Sequence, residues 1–309
     1  MEFIEELNLI PPSLSGSVVV MGDFDGVHTG HYALIHEAVS HAKAENLTSI
    51  LLTYEPSPKK IMKKLAYDSR LTTHAEKQQL LANTDLDIVI FYPVTAKTLQ
   101  ISARNFLRSF LLERLSMRRL VMGGDHHFGH NRRGNAKYLQ AAKKRYGFAL
   151  TVIDEQLTLG KRTSSSRIRT ALAEGKMDIT AEILGRPYSV TGKVVHGERR
   201  GRSIGFPTAN LSIDPEKLLP ALGVYAGVSV LENGERICSV ANLGQKPTVG
   251  AFPVGLEVHC IQFKKDIYGQ NLTFEFTKRI REEKKFASLD ALKAQIEEDV
   301  KEAKSVVVF

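Results

Sequence analysis

The chain has no tryptophan, two cysteines and 11 prolines among 309 residues, and these scarcities narrow what it can be. Cys238 and Cys260 both lie in strand-like runs, so they read as buried free thiols rather than a disulfide framework. That pattern belongs to a reducing compartment, and the expectation is a cytoplasmic protein. No apolar run approaches the roughly 20 residues that span a bilayer. Met1-Glu-Phe-Ile-Glu-Glu6 is acidic where a secretory signal would be basic, so no export signal and no membrane partner are expected. Also missing is a continuous basic tract interleaved with aromatics. The net charge of +8 is spread over short runs such as Arg118-Arg119, Arg132-Arg133, Lys143-Lys-Arg145 and Arg199-Arg200. Such a surface favours small anions over nucleic acid. What remains is an ordinary globular composition, 43% hydrophobic and 25% charged, long enough for about two domains. Nothing in it fixes an oligomeric state.

The densest signal is Gly16-Ser-Val-Val-Val-Met-Gly-Asp-Phe-Asp-Gly-Val-His-Thr-Gly-His31. Val18 to Val20 read as a buried strand. A glycine-rich turn follows, and from Tyr32 the apolar residues Leu34, Ile35, Ala38, Val39 and Ala42 take helical spacing. Strand, glycine turn and helix together present backbone N–H groups and a positive dipole end to an anion. The turn lacks the endings of the Walker loop and of the dinucleotide-binding loop. Instead it carries His28 and His31 at i, i+3, which places both imidazoles on one side of a helix start. Gly30 between them allows close approach of a phosphate.

Strands at Ser49–Thr53, Asp87–Phe91, Leu120–Met122 and Phe148–Ile153 alternate with helices, one of them announced by the capping-box spacing Thr73-His-Ala-Glu76. Alternation of this kind predicts a parallel sheet covered on both faces, with ligands bound beyond the carboxyl ends of the strands. The turn after Val20 and Gly123-Gly-Asp125 both fall there.

Gly22-Asp-Phe-Asp-Gly-Val-His-Thr-Gly-His31 resembles the first motif of the HxGH nucleotidyltransferases, most closely that of bacterial FAD synthetases. Thr53-Tyr-Glu-Pro-Ser-Pro58, Gly124-Asp125 with Phe128-Gly129, and Thr163-Ser-Ser-Ser-Arg-Ile-Arg169 match further motifs in order. The resemblance implies a Rossmann-like domain in which Gly22, Asp23, Phe24 and Gly30 bind ATP and His28 and His31 act on its phosphates. Ser164, Ser165, Arg167 and Arg169 are implied as a second set of phosphate contacts, and Asp125 and Phe128 as flavin contacts. The implied reaction is attack of the FMN phosphate on the α-phosphorus of ATP. A phosphate monoester is largely dianionic at pH 7 and needs no strong base, only alignment and charge neutralisation. The chain departs from the family at His126-His127, where a Phe and a basic residue are usual, at Asn135, where Asp is common, and at Asp23, where Asn, Ser or Thr is usual. An aspartate so near a triphosphate is electrostatically awkward unless it serves a metal.

Beyond Leu184-Gly-Arg-Pro187 the pattern changes to strands at short intervals, one hairpin carrying the type I′ signal Asn233-Gly234. A final helix is expected from Ser288, with Leu289, Leu292, Ile296 and Val300 on one face. Five or six strands and one late helix predict a small antiparallel barrel. Gly192-Lys193, Gly197, Gly201-Arg202 and Gly205-Phe-Pro-Thr-Ala-Asn210 suggest backbone approaching a ligand, and Thr208 and Asn210 at i, i+2 offer two hard oxygens suited to a partly hydrated Mg²⁺. In Leu256-Glu-Val-His-Cys-Ile-Gln-Phe263 both alternating faces are largely apolar, so Glu257 reads as a carboxylate in a buried strand.

This half resembles the riboflavin kinase module of bacterial FAD synthetases, through Gly205–Asn210, Gly223-Val-Tyr225, Lys246-Pro-Thr248 (with Lys246 where Arg is usual), Glu257 and Arg281-Glu-Glu-Lys-Lys-Phe286. The resemblance implies phosphorylation of the terminal ribityl hydroxyl of riboflavin by ATP-Mg²⁺. A sugar hydroxyl carries a proton that must leave, which gives Glu257 a task as general base. Thr208 and Asn210 would hold the metal, Lys193, Gly205 and Pro207 the nucleotide, and Arg281 and Phe286 the flavin. The whole sequence thus reads as an adenylyltransferase domain over residues 1–184 and a kinase domain over 185–309, taking riboflavin to FMN and FMN to FAD. Rival readings are a monofunctional enzyme with one half degenerate, the N-terminal half first, and a non-catalytic flavin- or nucleotide-binding regulator.

Overall fold

The computed structural model describes residues 1–12, 14–65, 69–197, 204–245 and 254–308. Arg199-Arg200, Gly201-Arg202 and Lys246-Pro-Thr248, singled out above, lie outside the described residues. The chain divides into two compact units, Met1–Ser164 and Ser165–Phe309.

The first unit is built on six strands: β1 (Glu2–Ile4), β2 (Ser17–Met21), β3 (Thr48–Glu55), β4 (Ile88–Pro93), β5 (Met117–Gly123) and β6 (Ala149–Ile153). Their order is β1-β4-β3-β2-β5-β6, every pair parallel. The helices are α1 (Thr29–Glu45), α2 (Pro58–Met62), α3 (His74–Ala82), α4 (Ala103–Asn105), which runs on as the π-helical stretch Phe106–Arg114, and α5 (Ala136–Tyr146). Two separate cores flank the sheet. Val18 and Val20 of β2 point into one, while Val19 and Met21 point into the other, which is why the strand reads as a continuous apolar run. The predicted capping box at Thr73 is present in both directions. Asn135, where an Asp is common, caps α5 by accepting the Tyr138 N–H at 2.9 Å, a task an amide oxygen performs as well as a carboxylate. A two-stranded hairpin follows β6, made of β7 (Leu157–Thr158) and β8 (Lys161–Arg162).

The second unit opens with α6 (Ser165–Ala173) and α7 (Met177–Leu184) and continues as β9 (Tyr188–Val195), β10 (Ala209–Ile213), β11 (Gly223–Leu231), β12 (Arg236–Gln245), β13 (Val254–Cys260) and β14 (Asn271–Arg281), ending in α8 (Leu289–Val306). The six strands close a barrel in the order β10-β13-β12-β11-β14-β9, every pair antiparallel. Tyr225, Phe274 and Phe276 fill its interior, their rings meeting edge to face. On the outer face of β11, Val224, Ala226 and Val228 are covered by Ala303 and Val307, so this strand is buried on both sides.

The compact units divide after Ser164, ahead of the domain boundary expected at Leu184, because α6 and α7 pack against the barrel. The Ala221 N–H donates to Leu172 of α6 at 2.9 Å, and Gly175, between the two helices, lies against the Arg279 side chain of β14. The Asn233-Gly234 turn is not type I′, which needs positive φ at both residues. Only Gly234 takes it (φ +84°), and its N–H bonds to Leu231 O, giving a type I turn closed by a glycine bulge. Of the residues expected on the inner face of α8, Val300 packs on the barrel core beside Ala303, while Leu289 is 69% exposed and Asp299 is buried.

Candidate active sites

In the first unit β2 ends in the turn Gly22–His28, beyond the carboxyl edge of the sheet, and α1 begins at its far side. His28 is the N-cap of α1. Its Nδ1 accepts the N–H of His31 at 3.2 Å, and Nδ1 of His31 accepts the N–H of His28 at 3.3 Å. This is a capping box built from two imidazoles. Each Nδ1 is an acceptor, so in the neutral rings the proton sits on Nε2 and both Nε2–H groups are donors. The rings stack at 3.6 Å between centroids and 10° between planes. A Cβ on Gly30 would stand 3.3 Å from the His28 ring, and Thr163 Cγ2 closes the other side at 3.5 Å. Phe24 and Val27 are fully buried with φ of 52° and 39°, left-handed conformations that are costly for such residues.

What holds this turn comes from 50 residues downstream. Arg70, buried, pairs with the Asp23 carboxylate through two nitrogens at 2.9 and 3.2 Å. The Asp23 carbonyl accepts from Thr53 Oγ1 at 2.8 Å and from Lys77 Nζ at 3.1 Å. Asp25 accepts the backbone N–H groups of Leu71 and Thr72 and lies 3.5 Å from Arg70 Nε. Burial works against the Arg70 charge, yet Asp23 and then Asp25 outweigh it and raise the guanidinium pKa. Lys77 is pushed the other way, by burial and then by Arg70. The awkward aspartate of the sequence is therefore compensated by Arg70. The sequence reasoning missed Arg70 and Lys77, although Lys77 stands four residues before Leu81 on the buried stripe of α3, where a lysine is out of place.

After β5, Asp125 is exposed and pairs with Arg162 of β8, which also binds Glu155 at 3.0 Å. His126 lies parallel to Tyr54, 6.3 Å between centroids and 6° between planes. Its Nε2 is buried and has no hydrogen-bond partner among the described residues. Burial lowers its pKa to about 4, against the opposing pull of the Asp125 carboxylate and with a smaller lowering from His127.

In the second unit the sites cluster on the outer face of the barrel. Asn210 pairs with Glu257 across β10 and β13, and Glu257 with Asn242 across β12, so the three side chains form one row. Asn210 is buried beneath Gly197, where a Cβ would stand 2.3 Å from its Nδ2. Thr208 lies two residues earlier on the same face, one residue before β10 starts. A cavity of about 450 Å³ is lined by Thr208, Asn210, Val258, Cys260, Phe263 and Tyr268, among others. Lys193 is exposed on β9 with its side chain on the outer face. Glu257 departs from expectation. Leu256, Val258 and Cys260 fill the barrel, while Glu257 and His259 are only half-buried on the outer face, so the strand is buried on one side.

Among the described residues no group of three or more His, Cys, Asp or Glu could hold a metal ion. A cation here would take the neutral oxygens of Thr208 and Asn210, with substrate phosphates and water completing its shell. That donor set fits Mg²⁺.

The riboflavin kinase (Flavokinase) family profile matches residues 184–307, and the FAD synthetase profile matches residues 10–167. The chain is 38% identical over 293 residues to a bifunctional riboflavin kinase/FMN adenylyltransferase of Escherichia coli, covering 94% of this chain and 93% of that one. It is 37% identical over 305 residues to the protein of the same name from Haemophilus influenzae, covering 99% of each. The chain belongs to the bifunctional riboflavin kinase/FMN adenylyltransferase family. A crystal structure titled as a macrolide-efflux protein from Streptococcus pneumoniae is also similar, with a TM-score of 0.87, 28% identity and 98% of each chain covered. No helix among the described residues of this family member is long and apolar enough to cross a membrane.

Two of the residues expected at the flavin also have partners within the fold. Phe128 is 5% exposed and packs against Phe106 and Tyr138, with Gly134 pressed onto its ring. It anchors the Asp125 loop in the core. Arg281 binds the buried Asp299 of α8 through Nε at 2.9 Å and a second nitrogen at 2.7 Å, so its guanidinium fastens the terminal helix. Its charge also lies 5.7 Å from the centre of the Phe286 ring. Ser164 closes the first unit, while Ser165, Arg167 and Arg169 lie on α6 of the second.

Proposed function

We propose that this family member makes FMN from riboflavin at the barrel and FAD from FMN at the sheet edge, through separate residues. For adenylyl transfer, the Nε2–H groups of His28 and His31 and the N-terminus of α1 neutralise charge growing on the ATP phosphates. Gly22, Asp23, Phe24 and Gly30 shape that pocket, and Asp125 borders the flavin. Ser164, Ser165, Arg167 and Arg169 are assigned to the phosphates on their motif. Pyrophosphate leaves, and no covalent intermediate with the protein is needed.

At the barrel, Glu257 takes the proton of the ribityl hydroxyl as that oxygen attacks the γ-phosphorus, the bond from the γ-phosphorus to the β–γ bridging oxygen breaks and ADP leaves. Thr208 and Asn210 would hold Mg²⁺, which would supply positive charge to neutralise the phosphates. Lys193, Gly205 and Pro207 border the nucleotide. A half-buried carboxylate suits this task better than the buried one expected from sequence, because it keeps a path to water. The observation that carries the reading is the row Asn210–Glu257 beside the cavity, in which a base stands next to a metal ligand. The kinase half is proposed to span 185–309 and the adenylyltransferase half to end by 184. The free thiols of Cys238 and Cys260 support a cytoplasmic setting. Matches to both family profiles favour two working halves over a degenerate one.

The test is incubation of the protein with ATP-Mg²⁺ and riboflavin or FMN, with the flavins separated by chromatography. Riboflavin should give FMN and then FAD, and supplied FMN should give FAD. Riboflavin left unchanged would refute the kinase assignment, and FMN left unchanged the adenylyltransferase assignment.

A further inference from the structure

We propose that His259 is a positioning residue for riboflavin phosphorylation, holding the Pro207–Thr208 peptide that aims Thr208; the proposal rests on the kinase reading above. The ladder between β10 and β13 ends at the pair Ala209–Val258, so Thr208 lies just past the last backbone pair. His259 is the next residue of β13 and shares the outer face with Glu257. Its Nδ1 donates to Pro207 O at 2.8 Å. Its ring also meets Phe206 edge to face, 5.4 Å between centroids and 77° between planes. These contacts tie Phe206 and Pro207 to the barrel wall.

The segment needs such a tie. Gly205 takes φ +93° with nothing within 4 Å of a Cβ position, and proline has no N–H with which to join a ladder. Without His259 the carbonyl of Pro207 turns to water, and the Thr208 hydroxyl loses its fixed direction beside Asn210. Because Nδ1 bonds a carbonyl oxygen, it is the ring nitrogen that donates. An asparagine side chain puts its nitrogen where Nδ1 stands, whereas glutamine puts it nearer the place of Nε2.

The experiment compares His259→Ala, His259→Gln and His259→Asn in the full chain, measuring KM for ATP-Mg²⁺ and KM for riboflavin separately. Conversion of FMN to FAD by the same preparations reports on folding and on the other half. The alanine and glutamine variants should raise KM for ATP about fivefold or more, the worth of one lost hydrogen bond. KM for riboflavin and FAD formation should stay within about twofold, and His259→Asn should restore KM for ATP. An unchanged KM for ATP in His259→Ala, an equal rise in both KM values, or failure of His259→Asn to restore it would overturn the proposal. Wild-type protein that makes no FMN would instead overturn the kinase reading beneath it.

Discussion

His126 is a histidine that stays neutral where histidines usually titrate. Its folded-state pKa of about 4 lies below the ordinary 6.5, so between these values the unfolded chain binds a proton that the folded chain refuses. Stability contributed by the neutral ring is present above about pH 6.5 and is lost as pH falls towards 4. Over that window the wild-type unit should lose on the order of 2 kcal/mol more than His126→Phe, measured by denaturant unfolding at pH 7 and pH 4.5. Equal losses would contradict it. The residue scale is also where the sequence was most and least informative. His28 and His31 were legible because two imidazoles in a glycine turn have few other uses. Arg70, Lys77 and His259 were not, since each acts on a backbone or carboxylate partner far along the chain, and only topology brings them together. The same limit hid the partners of Phe128 and Arg281 within the fold, since their motifs show residue type but not which way the side chain turns.

Elements were read well where periodicity is strong and poorly where an element is short or capped by tertiary contact. β1 has three residues and no pattern to find; it exists because its edge pairs with β4. The face of α8 was legible in Val300, which packs on the barrel beside Ala303, but its most buried position is a carboxylate that no apolar stripe announces. Asp299, 2% exposed, is acceptable there only because Arg281 grips it with two nitrogens and Gln295 adds a third donor at 3.1 Å. Arg281→Ala should therefore release α8 and destabilise the barrel unit by about 3 kcal/mol or more, through the buried charge left behind. Replacing both partners by leucine should recover most of that loss, as read from urea midpoints. If the single and double variants were equally unstable, α8 would be held by its apolar contacts alone.

For the whole molecule, the alternation of strands and helices followed by closely spaced strands was enough to predict a parallel sheet and then a small barrel. The boundary between them was less legible, because α6 and α7 are helical like the first half yet bury their apolar stripes against the barrel. The account's central claim is that two chemistries run on two sets of residues, one aligning phosphates without a base and the other removing a proton. The most direct measurement is product analysis of two variants given riboflavin, FMN and ATP-Mg²⁺ in separate reactions. Glu257→Gln should lose at least about 10²-fold in FMN formation, the scale of a general base, while still converting FMN to FAD. The double variant His28→Ala, His31→Ala should do the reverse, making FMN that accumulates without FAD. Loss of both activities in either folded variant would contradict the two-site account.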